Sequence, residues 1–166
     1  MAEYVDIFND QREKTGEVLP RNTKLPAGKY MTYVLALIKN KDGYLVTRRT
    51  LDKKWAAGAW EIPGGGVRAG ETSEEAIKRE VFEETHLDIT NHYSLLYSYK
   101  NTDLTRGDNY FTDIYLCEMD FALSDVIIQK DEVLDVKCAD LDEISRLHDE
   151  DGFLHYERLL EALKAK

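Results

Sequence analysis

From Gly65 to Leu87 the chain reads GGVRAGETSEEAIKREVFEETHL, and the reading of this run decides the fold. Thr72-Ser73-Glu74-Glu75 has the form of a capping box, in which a Thr and a Glu three residues later satisfy backbone N–H groups reciprocally. Ala76, Ile77 and Val81 recur at helical spacing, so a helix is expected over Thr72 to His86. On that helix Glu80, Glu83 and Glu84 stand at i, i+3 and i+4 and project from one face within a turn. Like charges that close repel, and nothing in the helix alone compensates them. A hard divalent cation with oxygen ligands does, and Mg²⁺ is the usual choice beside phosphate oxygens. The plain alternative is an ordinary solvated charged face. The spacing of the whole run favours the metal: Glu71 follows Gly65 by six residues, and Arg79-Glu80 follow eight and nine residues later. Glu71 and Arg79 are placed to pair across the loop, and Glu75 to Arg79 is a favourable i,i+4 pair.

Upstream, Pro63-Gly64-Gly65-Gly66 reads as a loop whose backbone approaches a ligand closely. Trp60-Glu61-Ile62 before it is a short strand. Tyr30 to Ile38 and Tyr44 to Thr50 read as strands joined by the turn Asn40-Lys41-Asp42-Gly43. Residues 4–8 alternate as a strand, and a polar turn from Asn9 to Gly16 leads into Glu17–Leu19, an N-terminal hairpin. Downstream, Leu87 to Lys100, Asn109 to Met119 and Val133 to Cys138 are aromatic and β-branched, as strands are. Leu141 to Leu147 and Leu154 to Leu163 close the chain as helices. No repeat or linker divides it. The expected class is α/β or α+β, a sheet core with helices packed on it.

Composition bounds the partners. With 166 residues the chain suits one domain, and its net charge of −10 argues against duplex nucleic acid or an anionic membrane. Cys117 and Cys138 form no C-x-x-C pair and no zinc-ligand spacing. They read as small buried residues, compatible with a reducing cytoplasm. The start, Met1 to Asp6, carries no basic flank and apolar stretch of a signal peptide, and no apolar run approaches membrane-spanning length. A cytoplasmic location is expected.

The run resembles the Nudix box, G-x5-E-x7-R-E-U-x-E-E-x-G-U with U bulky and apolar, at every defined position but one: His86 stands where the family has glycine. That position closes the helix, where a left-handed backbone is cheap for Gly and tolerable for His. The resemblance covers nearly the whole chain and implies a single Nudix hydrolase domain over residues 1–166, with residues 1–28 as a hairpin extension. The fold it implies is an α/β/α sandwich with a mixed sheet. It implies a Mg²⁺-dependent hydrolase, with Mn²⁺ as a substitute, that cleaves a phosphoanhydride bond by water attack at phosphorus. The implied substrate is a nucleoside diphosphate linked to another group, or a nucleoside triphosphate. Glu80, Glu83 and Glu84 match the metal-holding positions, Gly64 a backbone carbonyl ligand, and Glu71 and Arg79 the structural ion pair. Gly65 would lie beside the substrate. Glu132, with Asp131 next, is the candidate late-loop acid that completes the site. Arg49 is similar to a phosphate-binding arginine, with Arg48 facing the other way along the strand. The base remains open between a box glutamate and Glu132. Members are often dimers, so a homodimer is a further expectation.

Two other readings stand beside the hydrolase. Tyr4 to Gly16 and Lys53-Lys54-Trp55…Gly58-Ala59-Trp60-Glu61 are similar to the isopentenyl-diphosphate isomerase branch. That branch uses a cysteine just after the tryptophan-bearing strand, where this chain has Ile62-Pro63-Gly64-Gly65-Gly66. A nucleotide-sensing module without catalysis is the second, and it has no need of three intact carboxylates. Tyr97, Tyr99, Tyr110, Phe111 and Tyr115 suit base stacking or strand packing equally, so none is assigned to the site.

Overall fold

Along strand β3 (Met31–Asn40) successive side chains feed two different cores, as the two-residue period of a strand requires. Val34, Ala36 and Ile38 pack with Ala76, Ile77 and Val81 of helix α1 (Ser73–Thr85). Leu35 and Leu37 pack with Ile144 and Leu147 of α2 (Leu141–Asp151) and with Leu159 and Ala162 of α3 (Tyr156–Lys164). The sheet is therefore buried on both faces, α1 on one and α2 with α3 on the other. The computed structural model describes residues 3–166; Met1 and Ala2, the first positions of the expected leaderless start and hairpin extension, lie outside the described residues.

The remaining strands of this sheet are β4 (Gly43–Arg49), β5 (Trp60–Glu61), β6 (Gly64–Gly66), β7 (Tyr93–Asn101), β8 (Tyr110–Glu118) and β9 (Val133–Ala139). The order is β5-β4-β3-β8-β7, with β6 beside β3 and β9 beside β4. β3 and β8 run parallel and the other pairs antiparallel, which makes the sheet mixed. β3 and β4 pair only at Lys39–Tyr44 and Asn40–Gly43, then part. β6 takes the freed edge of β3 at Tyr33–Leu35, while β5 pairs with β4 at Thr47 and Arg48. This fork opens the cleft described below.

β1 (Tyr4–Phe8) and β2 (Lys14–Pro20) form a separate two-stranded sheet over Val5, Ile7, Leu25 and Met31. The Tyr4 carbonyl accepts from the Ala69 N–H and the Asp6 carboxylate from the Gly70 N–H, so the hairpin holds the loop that leads into α1. Among the described residues no helix is long and apolar enough to cross a membrane.

Several boundaries differ from the sequence reading. Gly64–Gly66 is a strand, not a loop: without a Cβ, Gly64 lies against β3, where an added methyl carbon would sit 2.1 Å from the Val34 carbonyl oxygen. The strand expected from Leu87 begins only at Tyr93. Leu87 and Ile89 are buried against α1 from a turn in which the Asp88 carboxylate accepts from the Thr90 N–H. Apolar periodicity does not separate such a buried turn from a strand. α2 runs on to Asp151, and α3 starts at Tyr156 because His155 takes a left-handed backbone with φ 60°.

Candidate active site

α1 is fixed at both ends by its own sequence. The Thr72 side chain accepts from the Glu75 N–H at 3.1 Å, and the Glu75 carboxylate accepts from the Thr72 N–H at 2.9 Å. His86 closes the helix with φ 63°, its N–H bonded to the Phe82 carbonyl and its ring stacked on Phe82 at 5.2 Å. Histidine thus adopts the left-handed conformation that glycine would supply. Because Ala76, Ile77, Val81 and Thr85 are buried, Glu80, Glu83 and Glu84 fall on the flank of α1 that borders β6.

Arg79 organises that flank. Its guanidinium donates to both Glu71 oxygens, at 2.7 and 2.9 Å, to Glu80 at 2.8 Å, to Glu83 at 3.3 Å and to the Gly66 carbonyl at 3.1 Å. The expected Glu75–Arg79 pair is not formed, because the Glu75 carboxylate is spent on the cap and Arg79 turns toward Glu71 and β6. Glu83 is 46% exposed, whereas the Glu80 side chain is only 12% exposed. Glu84 is buried further and accepts from the Gly64 N–H at 2.9 Å.

The electrostatics mark this cluster as short of positive charge. Burial, together with Glu80, Glu61 and Glu83, pushes the Glu84 carboxyl well above its ordinary range, and the Gly64 N–H offsets only part of that. Burial also raises Glu80 despite Arg79, and raises Glu61 despite Arg49 and Lys53. A cation held among these carboxylates would relieve all three. Gly65 completes the fit: a Cβ there would lie 2.4 Å from a Glu80 carboxylate oxygen, so only glycine leaves room for the carboxylate. Among the described residues, no three acidic, His or Cys side chains already converge with metal-ligand geometry. Arg79 holds Glu80 and Glu83 meanwhile.

Glu61, Gly64, Gly65, Glu80, Glu83 and Glu84 line one cleft of about 1160 Å³ at the β3–β4 fork. Arg49 lies in it, 3.4 Å from Glu61 and stacked on Trp55 at 5.4 Å. Arg48 also lines the cleft, but its guanidinium is held by the Gly58 carbonyl and Asp151. Glu132 lines the same cleft, 54% exposed and paired with Lys53. Glu61 is the residue that the sequence reading passed over. Its only signal is strand alternation: Trp60 enters the core, so Glu61 points the other way, toward the cleft. Neither cysteine lines the cleft; burial pushes the Cys117 thiol up to about 12.

A fork in a mixed sheet, with a glycine strand on one side and a glutamate helix against it, frames this acidic site. Residues 29–162 match the NUDIX domain model, and the chain belongs to the Nudix family. It is similar to an uncharacterized Nudix hydrolase of Listeria monocytogenes, 30% identical over 91% of this chain and 88% of that protein. It is also similar to the nucleoside triphosphatase NudI of an Enterobacter strain, 41% identical over 36% of this chain and 43% of that one. Among solved structures, DR0079 of Deinococcus radiodurans shares the fold with a TM-score of 0.75 at 23% identity, covering 96% of this chain and 98% of that one.

Proposed function

We propose that this chain hydrolyses a phosphoanhydride bond of a nucleotide, either a nucleoside diphosphate linked to another group or a nucleoside triphosphate. The observation that supports this most is the under-neutralised group Glu61, Glu80 and Glu84 around the Gly64–Gly65 backbone. Glu80, Glu83, Glu84 and the Gly64 carbonyl would hold Mg²⁺ or Mn²⁺, with Glu61 joining them. When bound, the ion neutralises phosphate charge and makes a water acidic enough to attack at neutral pH.

The chain's own residues do the rest. Arg79, anchored on Glu71, sets the Glu80 and Glu83 side chains in place. Arg49 meets a phosphate oxygen from the opposite wall, a planar fork suited to that contact. A carboxylate, from α1 or Glu132 once it leaves Lys53, takes the water's proton. The P–O bond to the leaving phosphate breaks, giving two phosphate-bearing products. Carbon protonation of isopentenyl diphosphate is disfavoured because no thiol lines the cleft. The test is hydrolysis in ¹⁸O-labelled water across nucleoside triphosphates and nucleoside diphosphate conjugates, with Mg²⁺ or Mn²⁺. Label in one phosphate-bearing product is the expected result. Isomerised isopentenyl diphosphate with no labelled phosphate from any nucleotide would overturn the reading.

A further inference from the structure

Beyond the carboxylates the cleft continues to a wall that phosphate chemistry does not use. Register sets Tyr33 of β3, Thr112 of β8 and Tyr99 of β7 side by side, on the face that Leu35 and Ile114 continue into the α2–α3 core. Tyr110 meets Tyr33 edge to face at 5.0 Å, and the Arg158 guanidinium covers the Tyr99 ring at 4.3 Å. All four of these β-strand residues line the cleft.

Two polar atoms on this wall lack partners. Tyr99 is 8% exposed and Thr112 is 1% exposed, yet neither the phenol oxygen nor the threonine hydroxyl makes a hydrogen bond. They are cross-strand neighbours, and their hydroxyls lie near enough to act on each other without reaching hydrogen-bond geometry. A buried hydroxyl without a partner costs free energy, so it calls for an explanation. The phenols here remain neutral donors, since burial raises Tyr99, and burial with Tyr99 and Tyr33 nearby pushes Tyr110 up to about 12.

This chemistry selects among ligands. A second phosphate would want a surplus of positive charge, but here each cation is matched, Arg21 by Glu3, Arg106 by Asp108 and Arg158 by Glu161. An isoprenyl tail would leave both hydroxyls unpaired. A planar, uncharged heterocycle with hydrogen-bonding edges fits tyrosine rings and two neutral hydroxyls together. We propose that this wall binds the base of a nucleotide substrate, with the Tyr99 and Thr112 hydroxyls hydrogen-bonding the base edge. The placement rests on the phosphoanhydride reading, which puts the diphosphate at the carboxylate end. A site built to hydrogen-bond a base rejects those lacking the matching group, so these two residues set substrate choice.

The test reads binding rather than turnover. Nucleoside 5′-monophosphates carrying each common base, and inorganic pyrophosphate as the base-free probe, are titrated calorimetrically into the parent, Tyr99→Phe and Thr112→Val with Mn²⁺ present. The parent is expected to prefer at least one base, and each substitution to weaken that nucleotide by about three- to tenfold. Pyrophosphate is expected to bind all three proteins alike. The ligand-free melting temperature of each variant should equal or exceed the parent's, because the substitution removes an unpaired buried hydroxyl. Lower melting temperatures would assign the hydroxyls a structural role and overturn the inference. So would equal nucleotide affinity in parent and variants, or no nucleotide binding at all. Base-selective binding without hydrolysis of any anhydride would instead overturn the proposed reaction and leave the base site standing.

Discussion

Arg12 and Asp113, 101 residues apart in sequence, meet in a two-pronged ion pair with N–O distances of 2.8 and 2.6 Å. Arg12 sits at the tip of the N-terminal hairpin with φ 62°, and Asp113 is buried in the middle of β8. Asp113 also accepts from Ser73, the first residue of α1, at 2.6 Å and from Ser98 of β7 at 2.7 Å. One carboxylate thus ties the hairpin, the glutamate helix and two strands together.

Asp113→Asn should therefore destabilise the fold by about 1–3 kcal/mol, less than a fully buried pair because Arg12 is partly exposed and reaches water. Burial alone would raise the Asp113 carboxyl, but hydrogen bonds from Arg12, Ser73 and Ser98 outweigh it and hold it below its ordinary value. A depressed folded value gives stability that is present above the unfolded value near 3.9 and is lost as pH falls through the folded one. Urea midpoints of parent and variant should differ by a constant amount above about pH 5 and converge below about pH 4. A gap that widened in acid would contradict the linkage.

Glu84→Gln and Glu83→Gln separate the charge of the site from its fold. The Glu84 carboxyl is pushed up by burial and by Glu80, Glu61 and Glu83, so folding disfavours its ionised form. Glutamine should leave metal-free stability unchanged or raise it, while turnover falls by at least about a hundredfold if the helix holds the ion. Glu83→Gln loses one exposed arm of the Arg79 pair and should change stability by no more than about 0.5 kcal/mol, with turnover again severely reduced. Parent-level hydrolysis by both variants under saturating Mg²⁺ would remove the metal role from the helix.

The two glycines of β6 give opposite outcomes. An alanine Cβ at Gly65 meets the Glu80 carboxylate, the far end of a flexible side chain, so the fold accommodates it while the carboxylate is displaced. At Gly64 the Cβ meets the Val34 carbonyl at 2.1 Å and the Leu35 backbone, so β6 must leave β3. Gly64→Ala should cost about 1–3 kcal/mol of stability. Gly65→Ala should melt within a few degrees of the parent and lose at least about tenfold in kcat. Denaturation curves and initial rates on the two variants read the contrast directly.

What the sequence disclosed and what it hid divide along contact range. The Thr72–Glu75 cap and the Glu71–Arg79 pair are local, so spacing placed them, and the resemblance to the Nudix box placed the left-handed end at His86. The apolar run within Tyr30 to Ile38 likewise announced a strand, and the structure buries it on both faces. Glu61 and Asp113 were not legible, because each acquires meaning only from partners brought in by the fork or by the hairpin. Gly64–Gly66 looked like a loop because three glycines carry no strand signal; the edge freed when β4 diverges from β3 makes them one. Arg79 pointed to Glu75 on helix spacing, and the cap made that choice unavailable.

The last prediction concerns ion linkage. An ion that binds only the folded chain stabilises it by about 2.7 kcal/mol at one hundred times its dissociation constant. Mn²⁺ is the better probe, since nitrogen- and oxygen-donor sites generally hold transition ions above Mg²⁺. Arg79 engages one oxygen of Glu80 and one of Glu83 and competes with an ion for them, which weakens the apparent affinity without abolishing it. The parent's melting temperature should therefore climb with Mn²⁺ concentration, and climb further when a non-hydrolysable nucleotide is present. Glu84→Gln should flatten the response, because it removes the most buried charge of the group. Asp113→Asn should lower the whole curve yet keep its slope, since Asp113 holds the fold and does not line the cleft. A parent curve indifferent to Mn²⁺, with and without nucleotide, would show that Glu61, Glu80 and Glu84 gather for some purpose other than holding an ion.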